Sequence, residues 1–281
     1  MIPYSWVKEQ VFSMNIAEMK KILGRKRLKF SRYEIVSYLM AIAQQQNEYS
    51  YFKAIWNKGE KYSLTYQGFM KNLNTLALLW EALEQRFRKQ HLSFDDITMI
   101  DTSLMESKEE KCLTRKDWER KHVTTRNKNN KTSHIIGEKL LTLINSKSQI
   151  LYNRLMNNIS QSDQNVWENP YVLARKGLKH GVLLADRGFS NKMVYHRLDF
   201  LRKTLSDFTL KLISPPHSKQ KWNLTPEEKT LYKKRWLIEE VFRQLKCPFG
   251  EFKLTMKGVR QRNIRQARVA IATLAWNMKH L

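Results

Sequence analysis

Two absences narrow the reading of this 281-residue chain before any motif is considered. Only two cysteines are present, Cys112 and Cys247, with no CxxC or CxxH spacing. A disulfide framework and a cysteine-type zinc site are therefore not expected, and a reducing compartment fits. No run of about 18 apolar residues occurs, and no short apolar stretch follows a basic start, so neither a membrane span nor a secretory leader is expected. Acidic residues are scarce as well: 26 Asp and Glu against 51 Lys and Arg leave a net charge of +25. That imbalance points to a polyanionic partner, nucleic acid first and an anionic membrane surface second. The seven histidines lie without ligand spacing, and Ser103 and Ser190 have no partner base in view, so acyl-type nucleophilic chemistry is not supported. What the chain does have is a 42% hydrophobic content, enough for a real core and against global disorder.

Residues 1 to 94 read as a mostly helical region. Ser31 is positioned to cap a helix in which Ile35, Leu39 and Ile42 recur at helical spacing, and Thr65 to start a longer one running through Leu73, Leu76, Trp80 and Leu83. Tyr49 to Trp56 reads as a short helix between them. The basic segment KKILGRKRLKF suits a grip on duplex DNA or a merely solvated surface.

From Asp95 the pattern changes to alternating strands and helices. Ile97 to Ile100 reads as a buried strand with Asp101 at its exit, and Lys108 to Lys131 as a mobile loop, a DNA-facing arm or simple disorder. Lys139 to Ile144 and Gln149 to Arg154 form an expected hairpin, followed by a helix from Asp163 to Lys176. Gly181 to Ala185 is a second buried strand ending in Asp186, and Arg187 to Ser190 turns into a further helix near Asn191. Phe208 to Ile213 is another strand. Thr225, Pro226 and Glu228 announce a long helix that stops at Cys247 before Pro248. The last helix spans Asn263 to Lys279.

The long helix carries the sequence YKKRWLIEEVFRQLK from Tyr232 to Lys246. At 100° per residue, Tyr232, Arg235, Glu239 and Lys246 fall within roughly 60° of one another, beside an apolar sector of Ile238, Val241, Phe242 and Leu245. Alone, that face also fits a solvated amphipathic helix with an i,i+4 Arg–Glu pair. Strands ending in Asp101 and Asp186 can lie side by side in a mixed sheet, where Glu239 would supply a third carboxylate. Three hard oxygen ligands suit Mg²⁺ or Mn²⁺, and two such ions can drive phosphodiester cleavage or strand transfer.

The spacing Tyr-x2-Arg-x3-Glu-x6-Lys at 232, 235, 239 and 246 resembles the signature of a subgroup of DDE transposases from bacterial insertion sequences. The segments ITMIDTS around Asp101 and LLADRGFS around Asp186 resemble the first and second aspartate regions of the same family. The resemblance implies an α/β, RNase H-like mixed sheet flanked by helices, over residues 95–256. The helical region 1–94 would bind DNA, and a C-terminal helix, 257–281, would pack on the catalytic domain. It also implies a triad of Asp101, Asp186 and Glu239 holding Mg²⁺ or Mn²⁺, as two ions. The expected activity is cutting and joining of double-stranded DNA at terminal inverted repeats, with a homodimer in the synaptic complex and a cytoplasmic, nucleoid-associated location. Tyr232, Arg235 and Lys246 would contact phosphates. Arg187 would steer a phosphate or pair with a carboxylate, and Trp222 would stack on a flipped base or serve as a structural tryptophan. A catalytically inactive DNA-binding remnant and an RNase H-like nuclease are the alternatives. Only 53 residues separate Asp186 from Glu239, leaving no room for the β-rich subdomain that some relatives insert there. The chain is also short for the subgroup at its N-terminus, as a truncated copy would be.

Overall fold

A computed structural model describes residues 2–24, 29–44, 66–106, 122–126, 132–156, 177–189, 192–216, 224–247, 254 and 262–281. The expectations for Tyr49 to Trp56, Cys112, Asp163 to Lys176, Ser190 and Trp222 lie outside the described residues. In chain order the elements are α1 (Tyr4–Ser13), α2 (Ile16–Leu23), α3 (Arg32–Ala43), α4 (Tyr66–Leu76) and α5 (Leu78–His91). Strands β1 (Ile97–Glu106), β2 (His122–Arg126), β3 (Thr132–Asn145), β4 (Ile150–Leu155) and β5 (Val182–Ala185) follow. Then come α6 (Lys192–Thr204), β6 (Lys211–Ile213), α7 (Pro226–Lys233), α8 (Trp236–Lys246) and α9 (Arg262–Lys279). They divide into two compact units: Met1–Gln90 with Glu106–Cys112 and Leu245–Lys279, and His91–Met105 with Leu113–Gln244 and His280–Leu281.

The first unit is helical. Ser31 caps α3 as expected, its Oγ accepting the Glu34 N–H at 3.2 Å while Glu34 Oε2 accepts the Ser31 N–H at 2.6 Å. Asn15 caps α2 in one direction, its Oδ1 accepting the Glu18 N–H at 2.7 Å, and Gly24, at φ 61°, ends that helix in the left-handed conformation. The single helix expected from Thr65 to Leu83 is two. At Ala77 the ladder gives way to an i→i−3 bond from the Trp80 N–H to the Ala77 carbonyl. The second helix is fixed anew by the Trp80 indole, which donates to the Leu39 carbonyl at 3.1 Å. Val7, Leu39, Leu73 and Trp80 lie in the core of this unit together with Ile264, Ala267, Ile271 and Leu274. The last four come from α9, the helix expected from the sequence to pack on the catalytic domain.

The second unit holds the sheet, in the order β2-β3-β1-β5-β6, with β4 pairing β3 from outside that path. Pairs β1·β5 and β5·β6 are parallel, while β2·β3 and β3·β4 are antiparallel. This mixed sheet with flanking helices is the fold class expected. Two boundaries differ. β1 runs on to Glu106, so Asp101 stands within the strand rather than at its exit. The segment expected as loop or disorder contributes β2, which pairs with the first part of a 14-residue β3. The β-branched run Val123, Thr124, Thr125 is the local preference for that strand, masked in the sequence by the surrounding Lys, Arg and Asn.

The β1·β5 register is decided at one glycine. Gly181 has φ 77°, and a Cβ there would stand 2.4 Å from the Asp96 carbonyl oxygen. Only glycine lets the chain enter β5 so close to β1, where the Val182 N–H bonds that same carbonyl at 2.7 Å. On one side of the sheet Ile100, Leu183 and Ala185 form a core with Val194, Leu198 and Leu201 of α6. By strand alternation Met99 and Leu184, also buried, share the opposite face with Asp101 and Asp186.

Candidate active site

The parallel register pairs Ile97 with Val182, Thr98 with Leu183, Met99 with Leu184 and Ile100 with Ala185. Asp101 and Asp186 each come one residue later, Asp101 still within β1 and Asp186 directly past the end of β5, so the last paired position brings the two aspartates to neighbouring points of the sheet, where paired strands run about 5 Å apart. Two near-continuous apolar runs, each ending in an aspartate, are what a doubly covered parallel pair requires of its sequence. Beyond β5 the chain turns in a short 3₁₀ helix, Arg187–Phe189. Asp186 Oδ1 accepts the Gly188 N–H at 2.7 Å, and its backbone carbonyl accepts the hydroxyl of buried Ser214. Asp101 Oδ1 accepts the N–H of Thr102 at 2.7 Å.

The third part of the site arrives on the paired helices α7 and α8. Thr225 caps α7 with Pro226 at its first turn and a reciprocal Thr225–Glu228 box, as the sequence announces. The other Glu228 oxygen pairs with Lys211 of β6 at 2.5 Å, tying the helix to the neighbouring strand. The helix expected to run unbroken to Lys246 is interrupted after Lys233. Four i→i−3 bonds, from the Lys234, Arg235, Leu237 and Ile238 N–H groups, tighten the chain there into a 3₁₀-like junction. Arg235 sits in that junction. Its angular relation to Tyr232 is thus not that of one continuous helix. Past it, Ile238, Val241 and Phe242 are buried as expected.

Arg235 bridges the acids. Its Nη1 donates to Asp101 Oδ2 at 2.9 Å and its Nη2 to Glu239 Oε1. The Arg235 side chain is 19% exposed and that of Asp101 14%, whereas Glu239 is 57% exposed. Burial would lower the Arg235 guanidinium, but Asp101, then Tyr232, Glu239 and Asp186, outweigh it and hold it above its ordinary value. Burial, opposed by the Arg235 charge and aided by Asp186 and Asp101, raises the Tyr232 phenol, which is also hydrogen-bonded to Arg235. Asp101, Asp186, Tyr232, Arg235 and Glu239 therefore act on one another within the second unit. Lys246 is exposed at the end of α8 and belongs to the first unit, and Arg187 is exposed beside Asp186.

For a metal ion the donor set is hard carboxylate oxygen throughout, which suits Mg²⁺ or Mn²⁺. Two of the donors are adjacent in register. Among the described residues no three His, Cys, Asp or Glu side chains group closely enough to hold one ion, since Glu239 reaches Asp101 through Arg235. The residues fit the group by chemistry and by the pairing of the aspartates, with a guanidinium between two of the acids.

Gly188 and Ser214 support Asp186 without having stood out in the sequence. The Asp-x-Gly turn was a readable signal for the first. No local signal marks Ser214, which reaches Asp186 only because β6 lies beside β5. Trp236, the residue after Arg235, is 59% exposed.

A family model described as a transposase DDE domain matches residues 92–278. Two solved structures are similar to this chain at low superposition. The catalytic domain of Mos1 mariner transposase has 12% identity, with 71% of this chain and 90% of that chain covered at a TM-score of 0.25. The Mos1 transposase paired-end complex with left transposon end has 11% identity, with 91% and 80% covered at the same TM-score of 0.25. The comparison with curated proteins gives no match. No helix among the described residues is long and apolar enough to cross a membrane.

Proposed function

Because the chain belongs to the transposase DDE-domain family, we propose that it cuts and joins double-stranded DNA at the terminal inverted repeats of an insertion sequence, with Asp101, Asp186 and Glu239 as the metal-holding acids. The observation that carries this reading is the register of β1 and β5, which sets Asp101 beside Asp186, with Arg235 joining Asp101 to Glu239. The charge of +25 supplies the affinity for a polyanion.

In this reading Asp101, Asp186 and Glu239 would hold Mg²⁺ or Mn²⁺, as two ions in the full site. Bound there, the metal would supply Lewis acidity toward the phosphodiester and lower the pKa of an attacking water or 3′ hydroxyl. The protein's own groups do the rest. Gly188 and Ser214 fix the Asp186 turn, and the Thr102 N–H orients Asp101. Arg235 and Tyr232 present a guanidinium and a protonated phenol to phosphate oxygens, the first bidentate in geometry and the second a single donor. Arg187 and Lys246 add exposed cations, and Trp222 would stack on a base. Synapsis of two DNA ends would bring two copies of the chain together.

The test is direct. Full-length protein incubated with Mg²⁺ or Mn²⁺ and duplexes carrying the repeats that flank its gene should leave 3′ hydroxyl nicks. These should vanish in Asp101→Asn, Asp186→Asn and Glu239→Gln while DNA binding survives. Nicks of equal yield in all three variants overturn the assignment, and cutting without preference for the repeats favours a general nuclease.

A further inference from the structure

Arg235 is placed for more than phosphate contact. Its two terminal nitrogens are engaged by Asp101 Oδ2, at 2.9 Å, and by Glu239 Oε1. These are oxygens that the proposed function assigns to a divalent ion, so one cation already neutralises the acids. The guanidinium is mostly buried, and four neighbouring groups raise its affinity for the proton, so it stays charged across any working pH. Its position is fixed from the main chain as well. The 3₁₀-like junction between α7 and α8 holds the Arg235 backbone by bonds to Tyr232 and from Ile238. A guanidinium and an ion cannot both take Asp101 Oδ2 and Glu239 Oε1 at full strength, because each neutralises the charge that attracts the other.

We infer that Arg235 is a displaceable counter-cation whose transfer from Asp101 and Glu239 to a phosphodiester of bound DNA couples DNA binding to divalent-ion binding. The inference rests on the metal-site reading above. Without DNA, the ion competes with the guanidinium for two carboxylates. With DNA, a phosphate offers the guanidinium the same bidentate acceptor geometry, and the carboxylates are released to the ion. The coupling is reciprocal: whatever factor DNA contributes to ion affinity, the ion contributes to DNA affinity. Ion loading is thereby biased toward the DNA-bound chain, with Arg235 acting as a positioning residue for the acids.

Mn²⁺ binding to the full chain, followed by electron paramagnetic resonance of the free ion, tests this without recourse to catalysis. The probes are Mn²⁺ alone and Mn²⁺ with a short blunt duplex of arbitrary sequence at low salt. Arg235→Gln should tighten Mn²⁺ binding in the absence of DNA by about fivefold or more. Arg235→Lys, which keeps a competing charge, should remain close to the parent. The duplex should enhance Mn²⁺ affinity more in the parent than in Arg235→Gln, by the factor that separates the two without DNA. Equal affinities in parent and Arg235→Gln, or weaker binding in Arg235→Gln, overturn the coupling while leaving the metal site standing. Mn²⁺ binding that is absent from the parent both with and without the duplex, or unchanged by Asp101→Asn, overturns the metal site and the coupling together.

Discussion

The guanidinium of Arg235 donates to Asp101 at 2.9 Å, whereas it acts on Asp186 only through charge. The two aspartates stand in adjacent register positions, yet their worth to the folded state differs. Asp101→Asn leaves a largely buried arginine without the more buried of its two carboxylate partners and should cost about 1 to 3 kcal/mol in urea unfolding. Asp186→Asn removes one of two neighbouring like charges without touching that pair and should lie within about 0.5 kcal/mol of the parent. Equal losses would mean that the Arg235–Asp101 pair contributes nothing particular.

Much of this site was legible because its positions obey local rules. Apolar runs leading into Asp101 and Asp186, the Thr225–Pro226–Glu228 start of α7 and the apolar sector of α8 each follow from residues within a few positions of one another. What was not legible depends on tertiary neighbours. Helical periodicity alone extends α7 into α8, and the junction at Lys234 and Arg235 shows only where Arg235 meets an acid 134 residues earlier. The extent of β1 past Asp101 and the existence of β2 likewise depend on cross-strand partners rather than on composition. Angular arithmetic on one helix grouped Tyr232, Arg235 and Glu239, but it could not tell a phosphate contact from a bridge between carboxylates.

Gly181→Ala tests the register itself. The added methyl would meet the Asp96 backbone, and φ 77° is unfavourable for alanine, so the strand must shift or strain. A loss of roughly 2 kcal/mol or more is expected in thermal or urea unfolding. Nicking should fall further than the folded fraction does, because a shifted β5 moves Asp186 away from Asp101. Unchanged stability would show that β5 enters the sheet by another path.

Ser214→Ala removes the hydroxyl that donates to the Asp186 carbonyl. Stability should fall by about 1 kcal/mol, the ordinary net worth of one such bond. Mn²⁺ affinity should weaken several-fold at temperatures where the variant is fully folded, because the turn that presents Asp186 loses one of its anchors. Intact ion affinity with reduced stability would confine Ser214 to a structural role.

Glu228 gives the fold a defined acid limb. Pairing with Lys211 and, next, the Thr225 N–H hold its carboxyl below the ordinary value of 4.5. The folded chain thus binds this proton more weakly than the unfolded chain. The stabilisation is present above pH 4.5 and is lost as the pH falls toward the folded value. Glu228→Gln should lower the melting temperature near neutral pH and converge on the parent in acid, once the pH has fallen below the lowered folded-state value and the parent's carboxyl is protonated too. Thr225→Ala, which removes the cap itself, should cost about 1 kcal/mol throughout. Because α7 carries Tyr232 and leads into Arg235, both variants should also weaken DNA binding near neutral pH. A Glu228→Gln deficit that is the same at both pH values would show that the Lys211 pair contributes nothing to holding α7 against β6.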